Sequence, residues 1–139
     1  MSKSFNLKVS TPNGVVFNSP VEQIVAESID GELGILPDHM PLITPLTSAP
    51  LKYWSEGDIK VIAVLGGMME VSKEGVNIIS DHAALADNID EVVAQKEKQL
   101  AEARIAQKKD TVDIQKAEKD LRALLLNLKA VEMARKIRR

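Results

Sequence analysis

The residues best suited to chemistry in this chain of 139 residues are its two histidines, His39 and His82. His39 follows Asp38 and lies near Glu32, a set of side chains that suits a metal site or acid–base chemistry. His82 follows Asp81, which could orient its ring. Neither histidine is accompanied by a nucleophile with a base and an orienting group, so we favour structural roles for both.

Other catalytic arrangements find no support. The chain has no cysteine, which excludes thiol nucleophiles, disulfides and thiolate metal sites. Its serines stand in no nucleophile-elbow motif. The spacing of Gly31–Gly34 is too short for a phosphate-binding loop and leads into Pro37 instead of a helix. The pair Asp87 and Asp90 is typical of turns and caps. We therefore predict no catalytic residue, no metal and no cofactor.

The distribution of glycine and proline changes near residue 83. Every glycine lies at or before Gly75 and every proline at or before Pro50, whereas residues 83–139 contain neither. Glycine and proline mark strands and turns. This predicts two domains: an antiparallel β-sandwich or flattened barrel over 1–84, and an antiparallel α-helical hairpin over 85–139.

Short runs of β-forming residues fill the first half, separated by turn sequences. We predict strands over Phe5–Val9, Val15–Phe17, Val21–Ala26, Leu51–Trp54, Ile59–Val64, Met68–Val71 and Val76–Ile79. The pair Gly66–Gly67 within a strand pattern indicates a bulge or a close approach of backbones.

The segment Gly31–Leu46 is rich in glycine, proline and aliphatic residues. We expect an extended segment at the edge of the β fold, whose prolines, ending with Pro45, prevent further pairing. Gly31 and Gly34 would allow turns that a Cβ blocks. The apolar residues expected to face inward are Leu33, Ile35, Leu36, Leu42, Ile43 and Leu46.

Two helices are predicted in the second half. Asp87 or Asn88 can cap the first, which runs to about residue 108 or 109, and Asp110 or Thr111 can cap the second. The first carries an irregular apolar stripe: Ile89, Val93, Leu100 and Ala103.

The second helix carries two apolar stripes on roughly opposite faces. One comprises Ile114, Ala117, Leu121, Leu124, Leu128 and Val131, and the other Ala123, Leu126, Ala130, Met133 and Ile137. One stripe can pack on the first helix. The other can dock on the sandwich, serve an external partner, or do both in turn, which would make the hairpin bistable.

Charge is distributed unevenly. Residues 1–84 hold 5 Lys and no Arg against 10 acidic residues, a balance of −5, whereas residues 85–139 hold 13 basic against 10 acidic residues, a balance of +3. The basic C-terminal end suits either a solvated helix terminus or an acidic partner surface. It is short and has no interleaved aromatics, so we do not expect nucleic-acid binding. No apolar run is long enough to span a membrane, and the N-terminus does not resemble a signal peptide.

Four patterns occur in the order typical of one family. They are Thr11–Phe17, the run G-E-L-G-I-L-P-D-H-M-P-L-I-T-P-L over Gly31–Leu46, the paired-glycine strand Val64–Val71, and the junction Asp81–Asp90. Together they resemble the bacterial type of the ε subunit of F-type ATP synthases over nearly the whole chain.

The resemblance implies a non-catalytic rotor subunit on the cytoplasmic face of a bacterial plasma membrane, attached peripherally through its complex. Its sandwich would contact the γ subunit and the ring of c subunits, with Glu32 on the bend facing the ring and His39 near γ. Its hairpin would fold onto the sandwich or extend along γ into the α/β catalytic head and hinder ATP hydrolysis. The basic residues expected to meet the head are Lys129, Arg135, Lys136, Arg138 and Arg139.

Some members of that family bind ATP through an I/L-D-x-x-R-A motif and arginines on the second helix. Here the motif spans Ile89–Ala94; it keeps Asp90 but has Val93 in place of the arginine, and Ala123 and Asn127 stand at the second-helix positions. The resemblance therefore implies that ATP binding is lost.

Two other classes of protein share some of these features. A non-catalytic adaptor with a helical interaction module fits the patterning but leaves the segment Gly31–Leu46 unexplained, and binding to γ would separate it from a rotor subunit. A free-standing small hydrolase would require a catalytic constellation around His39 or His82.

Overall fold

The computed structural model describes residues 3–107 and 111–137, with backbone alone for 111–113. Within these ranges the chain forms eight strands: β1 (Phe5–Thr11), β2 (Gly14–Val21), β3 (Gln23–Ser28), β4 (Gly31–Ile35), β5 (Leu42–Ser55), β6 (Asp58–Ser72), β7 (Gly75–Ile79) and β8 (Ala83–Leu85). A short 3-10 helix (Ala86–Asn88), α1 (Glu91–Gln107) and α2 (Thr111–Ile137) follow. The predicted sandwich followed by two helices is confirmed.

The strands follow the hydrogen-bonded order β2-β1-β7-β6-β5-β3-β4, and β8 pairs with β6 beyond β7. The pairs are antiparallel except β1 with β7, which the sequence did not predict to be parallel. The division of the chain at residue 84 stays a prediction. At this point β8 still pairs with β6, from Val64 opposite Ala83 to Ile62 opposite Leu85.

The strands β5 and β6 are much longer than predicted and pair along their whole length, from Leu42 opposite Val71 to Ser55 opposite Asp58. Each strand changes its inward face part-way. On β6, Ile62 and Val64 point into the core before Gly66, and Met69 and Val71 do so after it. Side chains alternate strictly along a regular strand, so this change of parity requires an irregular position. Each long strand thereby contributes one half to each layer of the sandwich.

Gly66 and Gly67 supply that irregularity. Their φ angles are 64° and 113°, in the region that favours glycine. A Cβ at Gly67 would lie 2.0 Å from the carbonyl oxygen of Ile79. The predicted close approach of backbones is confirmed at this position.

The segment Gly31–Leu46 contains β4, the last strand in the hydrogen-bonded order, so the expected extended segment at the edge of the fold is confirmed. It differs from the expectation in two respects. Pro45 lies inside β5 opposite Met68. Pro45 is tolerated because β3 ends its pairing with β5 at Leu46. Gly34 has no positive φ angle, unlike Gly31.

The predicted inward orientation is also wrong for two residues of that segment. Leu36 is 56% exposed because it begins the loop after β4, and Ile43 is 67% exposed because it alternates with the buried Thr44.

The start of α1 corrects the predicted cap. Asp90 Oδ1 accepts hydrogen bonds from the backbone amides of Val92 and Val93, at 3.0 and 3.2 Å. Asp87 and Asn88 lie in the 3-10 helix instead. The predicted caps of α2 lie outside the described side chains.

The predicted stripe on α1 is wrong as well. Val93, Leu100 and Ala103 are exposed, and the buried residues of α1 are Ala94 and Ala101. Alanines let α1 and α2 approach closely, which the larger aliphatic residues would not.

Candidate functional site

The first sequence-derived candidate, around His39, is not assembled. Glu32 lies at the start of β4 and His39 lies beyond its other end, so the strand separates them. Asp38 pairs with Lys3 at 3.3 Å. The His39 ring donates from Nδ1 to the carbonyl oxygen of Met40 at 2.7 Å, which is the structural role predicted for it. Within residues 3–107 and 111–137, no three acidic, histidine or cysteine side chains are grouped to hold a metal.

The second candidate is the corner between β7 and β8, defined here as Ser80–His82. Ser80 is 3% exposed, and its hydroxyl lies 3.0 Å from the carbonyl oxygens of both Leu65 and His82. The backbone amide of His82 donates to the same hydroxyl. The serine is therefore engaged in shaping the corner, and His82 does not pair with Asp81.

Both remaining corner side chains reach α2 instead. The His82 ring nitrogen Nε2 lies 2.9 Å from Asn127 Oδ1, so the ring donates to the amide oxygen. The Asp81 carboxylate lies 3.5 Å from Lys119 Nζ. The corner thus makes two polar contacts between the sandwich and the hairpin.

Beside these contacts α2 packs on β6 through an apolar surface, here called the docking seat. The seat consists of Val61, Ala63, Ala86, Leu126 and Ala130, with Leu65, Met133, Ala134 and Ile137 at its margin. The structure confirms that the stripe containing Leu126 docks on the sandwich. Since Ala63 and Ala130 are both fully buried, helix and sheet approach closely there.

A cleft of about 700 Å³ lies beside the corner, between the two helices. Two cations, Arg104 and Lys116, and two carboxylates, Glu97 and Asp120, line it, so its charges balance. The residues that line the rest of the cleft are His82, Leu100, Ala101, Ala117, Ala123, Leu124 and Asn127.

In this chain, the residues at the positions of the family's ATP motif are exposed or make other contacts. Val93 is 47% exposed, Asp90 caps α1, and Asn127 is engaged by His82. The absence of ATP binding stays a prediction.

The basic residues near the C-terminus are partly engaged within the hairpin. Arg135 forms an ion pair with Glu91 of α1, and Lys136 lies 3.4 Å from Glu132. Lys129 is exposed on α2. The predicted residues Arg138 and Arg139 lie outside the described residues.

A third surface was missed by sequence reasoning. Ile43 and Ile79 are 67% and 60% exposed, and Met68 between them is 45% exposed. Met68 lies opposite Ile79 across β6 and β7, and opposite Pro45 on β5, two residues beyond Ile43 on the same face. We call Ile43, Met68 and Ile79 the outer patch. The change of parity at Gly66 was the signal that could have revealed it.

The outer patch and the docking seat lie on opposite sides of one core. The docking seat includes the outer face of the first half of β6, and the outer patch includes the outer face of its second half. The inward side chains of both halves join a single cluster. The hairpin therefore leaves the patch uncovered.

Comparison with known proteins decides the family. A model of the ATP synthase delta/epsilon chain β-sandwich domain matches residues 4–86. The chain belongs to the ATP synthase delta/epsilon chain family. It is 39% identical over 132 residues to the ATP synthase epsilon chain of Desulforamulus reducens, covering 95% of this chain and 100% of that one. It is 41% identical over 114 residues to that of Brevibacillus brevis, covering 81% and 86%.

Solved structures share the fold. A chain of the Euglena gracilis mitochondrial ATP synthase has a TM-score of 0.65 and 23% identity, over 94% of this chain and 81% of that chain. A chain of the Tetrahymena thermophila mitochondrial ATP synthase has a TM-score of 0.57 and 16% identity, over 94% and 98%.

The family assignment confirms the resemblance noted in the sequence and the prediction of a non-catalytic subunit. Relatives named ATP synthase epsilon chain match this chain at almost full length, so the helical half is part of the likeness. Among the described residues, no helix is both long and apolar enough to cross a membrane.

Proposed function

We propose that this chain is a rotor subunit that joins a ring of membrane c subunits to a central γ subunit and regulates ATP hydrolysis through its hairpin. The family carries the first part of the proposal, since its bacterial members are named for one subunit of the synthase. The complex would lie at the cytoplasmic face of a bacterial plasma membrane. The chain itself would be attached peripherally.

The outer patch is the surface proposed to bind γ. Its three large apolar side chains are exposed on paired strands, and the hairpin lies on the other side of the core. Contiguous exposed apolar residues on a sheet are typical of an interface centre. His39, which the family resemblance implies to lie near γ, is in the loop leading into β5, the strand that carries Ile43.

The turn between β3 and β4 is the surface proposed to face the c ring. Glu27 and Glu32 lie directly opposite each other on the two strands, and Asp30 is exposed between them. Like charges directly opposite on paired strands are destabilising. A basic loop on a partner would relieve that repulsion.

The hairpin is proposed to inhibit hydrolysis when it leaves the docking seat and enters the α/β catalytic head. Extension of the two helices would separate Arg135 from Glu91 and free a cation for an acidic surface of the head. The docked form would then correspond to the non-inhibiting state.

The test of the proposed function is ATP hydrolysis by a catalytic head stripped of its own ε. We expect the full chain to bind the head and slow hydrolysis. Replacing Lys129, Arg135, Lys136, Arg138 and Arg139 by Ala should weaken both the inhibition and its dependence on salt. Inhibition that stays unchanged at low salt would refute the role of these cations.

Binding to γ has its own matched pair of variants. Met68→Glu in the outer patch should weaken binding to γ by at least tenfold, on the order expected for a charge placed at an interface centre. Val92→Glu, at a 64% exposed valine of α1, is the control and should leave it unchanged. Equal binding by both variants would place the γ contact elsewhere.

A further inference from the structure

The corner Ser80–His82 holds a contact that the proposed rotor function does not require. Asn127 is half-buried on α2, two turns beyond Lys119, and its amide oxygen accepts a hydrogen bond from the His82 ring nitrogen Nε2 at 2.9 Å. The two residues are 45 positions apart in sequence, so this bond exists only while the hairpin is docked.

The docking seat alone specifies the position of α2 weakly. Three of its five buried members are Ala63, Ala86 and Ala130, which bury little surface and present small, similar shapes. A helix on such a surface can shift along its axis with little loss of contact, because the apolar attraction is not directional. Directional contacts are what can fix its register.

The corner offers two such contacts. Lys119 and Asn127 on α2 meet Asp81 and His82, which are adjacent in the chain. The ion pair is exposed on both sides, with side chains 55% and 68% accessible, so water screens it. The bond to Asn127 is partly buried and lies beside a cleft. It is the stronger of the two as a source of specificity, because it is directional and less exposed to water than the ion pair.

We propose that His82 and Asn127 form a latch that holds the hairpin in its docked register without any bound ligand. The latch couples the last corner of the sandwich to the middle of α2. Opening it weakens the hold of the docking seat on α2 while the sandwich core stays folded, since that core consists of strand residues alone.

The latch can be tested in the isolated full chain by a distance measurement. The chain has no native cysteine, so Lys73→Cys and Glu118→Cys place two spin labels, at exposed positions on the β6–β7 turn and on α2. Pulsed electron paramagnetic resonance then reports the docked population as a single narrow distance.

Two replacements of Asn127 separate the hydrogen bond from helix stability. Asn127→Leu keeps the approximate shape, removes the acceptor and raises helix propensity, so undocking cannot result from a weaker helix. Asn127→Asp keeps an acceptor oxygen. The control Asn77→Ala removes an exposed amide on β7, away from α2.

We expect Asn127→Leu to lower the ratio of docked to undocked chains about three- to tenfold, the range for one hydrogen bond. Asn127→Asp and Asn77→Ala should retain the narrow distance. His82→Ala combined with Asn127→Ala should cost no more than either change alone, because both remove the same bond. An unchanged distance in Asn127→Leu, or additive losses in the double variant, would overturn the latch.

The consequence for regulation rests on the proposed function and has a separate readout. If the docked form is non-inhibiting, Asn127→Leu should inhibit hydrolysis by the ε-free head more strongly than the parent chain. Undocking without stronger inhibition would leave the latch standing and refute the regulatory part of the proposed function. Stronger inhibition with an unchanged distance would refute the latch.

Discussion

Leu126 is the side chain on which docking of the hairpin should depend most. It is 6% exposed and is the only leucine among the buried residues of the docking seat within the described chain. Burying a leucine contributes about 1.5–3 kcal/mol, and leaving a cavity at the site adds to the loss. We therefore expect Leu126→Ala to weaken docking by about 2–3 kcal/mol, at the lower end of measured Leu→Ala effects because the seat lies near the surface.

The neighbouring Leu125 provides a matched control on the same helix. It is 43% exposed, so Leu125→Ala removes the same atoms and makes the same change in helix propensity, with a smaller loss of burial than Leu126→Ala. We expect its effect to be about 1 kcal/mol or less, below that of Leu126→Ala.

Native-state hydrogen exchange measures both effects in the full chain. Amides of α2 should exchange roughly 30- to 150-fold faster in Leu126→Ala, the factors that correspond to 2–3 kcal/mol. The core strands around Leu7, Val9 and Ile78 should keep their protection, since these residues belong to the other apolar cluster. Equal effects of the two leucine variants, or a parallel loss of protection in the core strands, would refute the assignment of Leu126 to a separable interface.

Three further predictions concern stability. Gly67→Ala should destabilise the sandwich by several kcal/mol, on the scale of backbone strain plus a clash with Ile79, whereas Gly34→Ala should be nearly neutral; urea unfolding compares them. Burial raises the pKa of the Tyr53 hydroxyl above 10.0, so the stability that is present below pH 10.0 should be lost as the pH rises through that raised pKa. Tyr53→Phe should abolish this alkaline loss of stability, as measured by chemical unfolding. Asp90→Ala should weaken the first turn of α1 by about 0.5–2 kcal/mol, seen as faster exchange of its first amides.

Each of these three predictions has an outcome that would contradict it. Equal unfolding midpoints for the two glycine variants would mean that the backbone at position 67 relaxes without cost. An alkaline transition retained in Tyr53→Phe would assign it to another group. Unchanged exchange at the start of α1 would show that Asp90 is not its effective cap.

Much of the fold follows from local pattern. Glycine and proline end before residue 83, and this alone separates a β half from a helical half, because both residues disfavour helix interiors. The apolar stripe of α2 that contains Leu126 and Ala130 was recognisable from its spacing, since residues three and four apart share one helix face. The pair Gly66–Gly67 was recognisable as a special backbone position for the same local reason.

The wrong predictions of buried residues share a different cause. The sequence favoured Val93 and Leu100 as the buried face of α1, but the buried residues of α1 are Ala94 and Ala101. It favoured Ile43 as inward, but Ile43 alternates with the buried Thr44 on a strand that changes its inward face part-way, so Ile43 points outward. In each case, burial depends on which neighbour lies opposite, and residue type alone does not contain that.

The sequence by itself determined the class of each half, the absence of cysteine chemistry and the family to which the chain belongs. These features can be read from the sequence because composition, the positions of glycine and proline, and the order of motifs are local properties of the chain. Only the tertiary structure decided that Asn127 meets His82, that the outer patch and the docking seat lie on opposite sides of the core, and that Glu32 and His39 are apart. These are relations between distant residues, and they are set by strand pairing and by the close packing of α2 on β6.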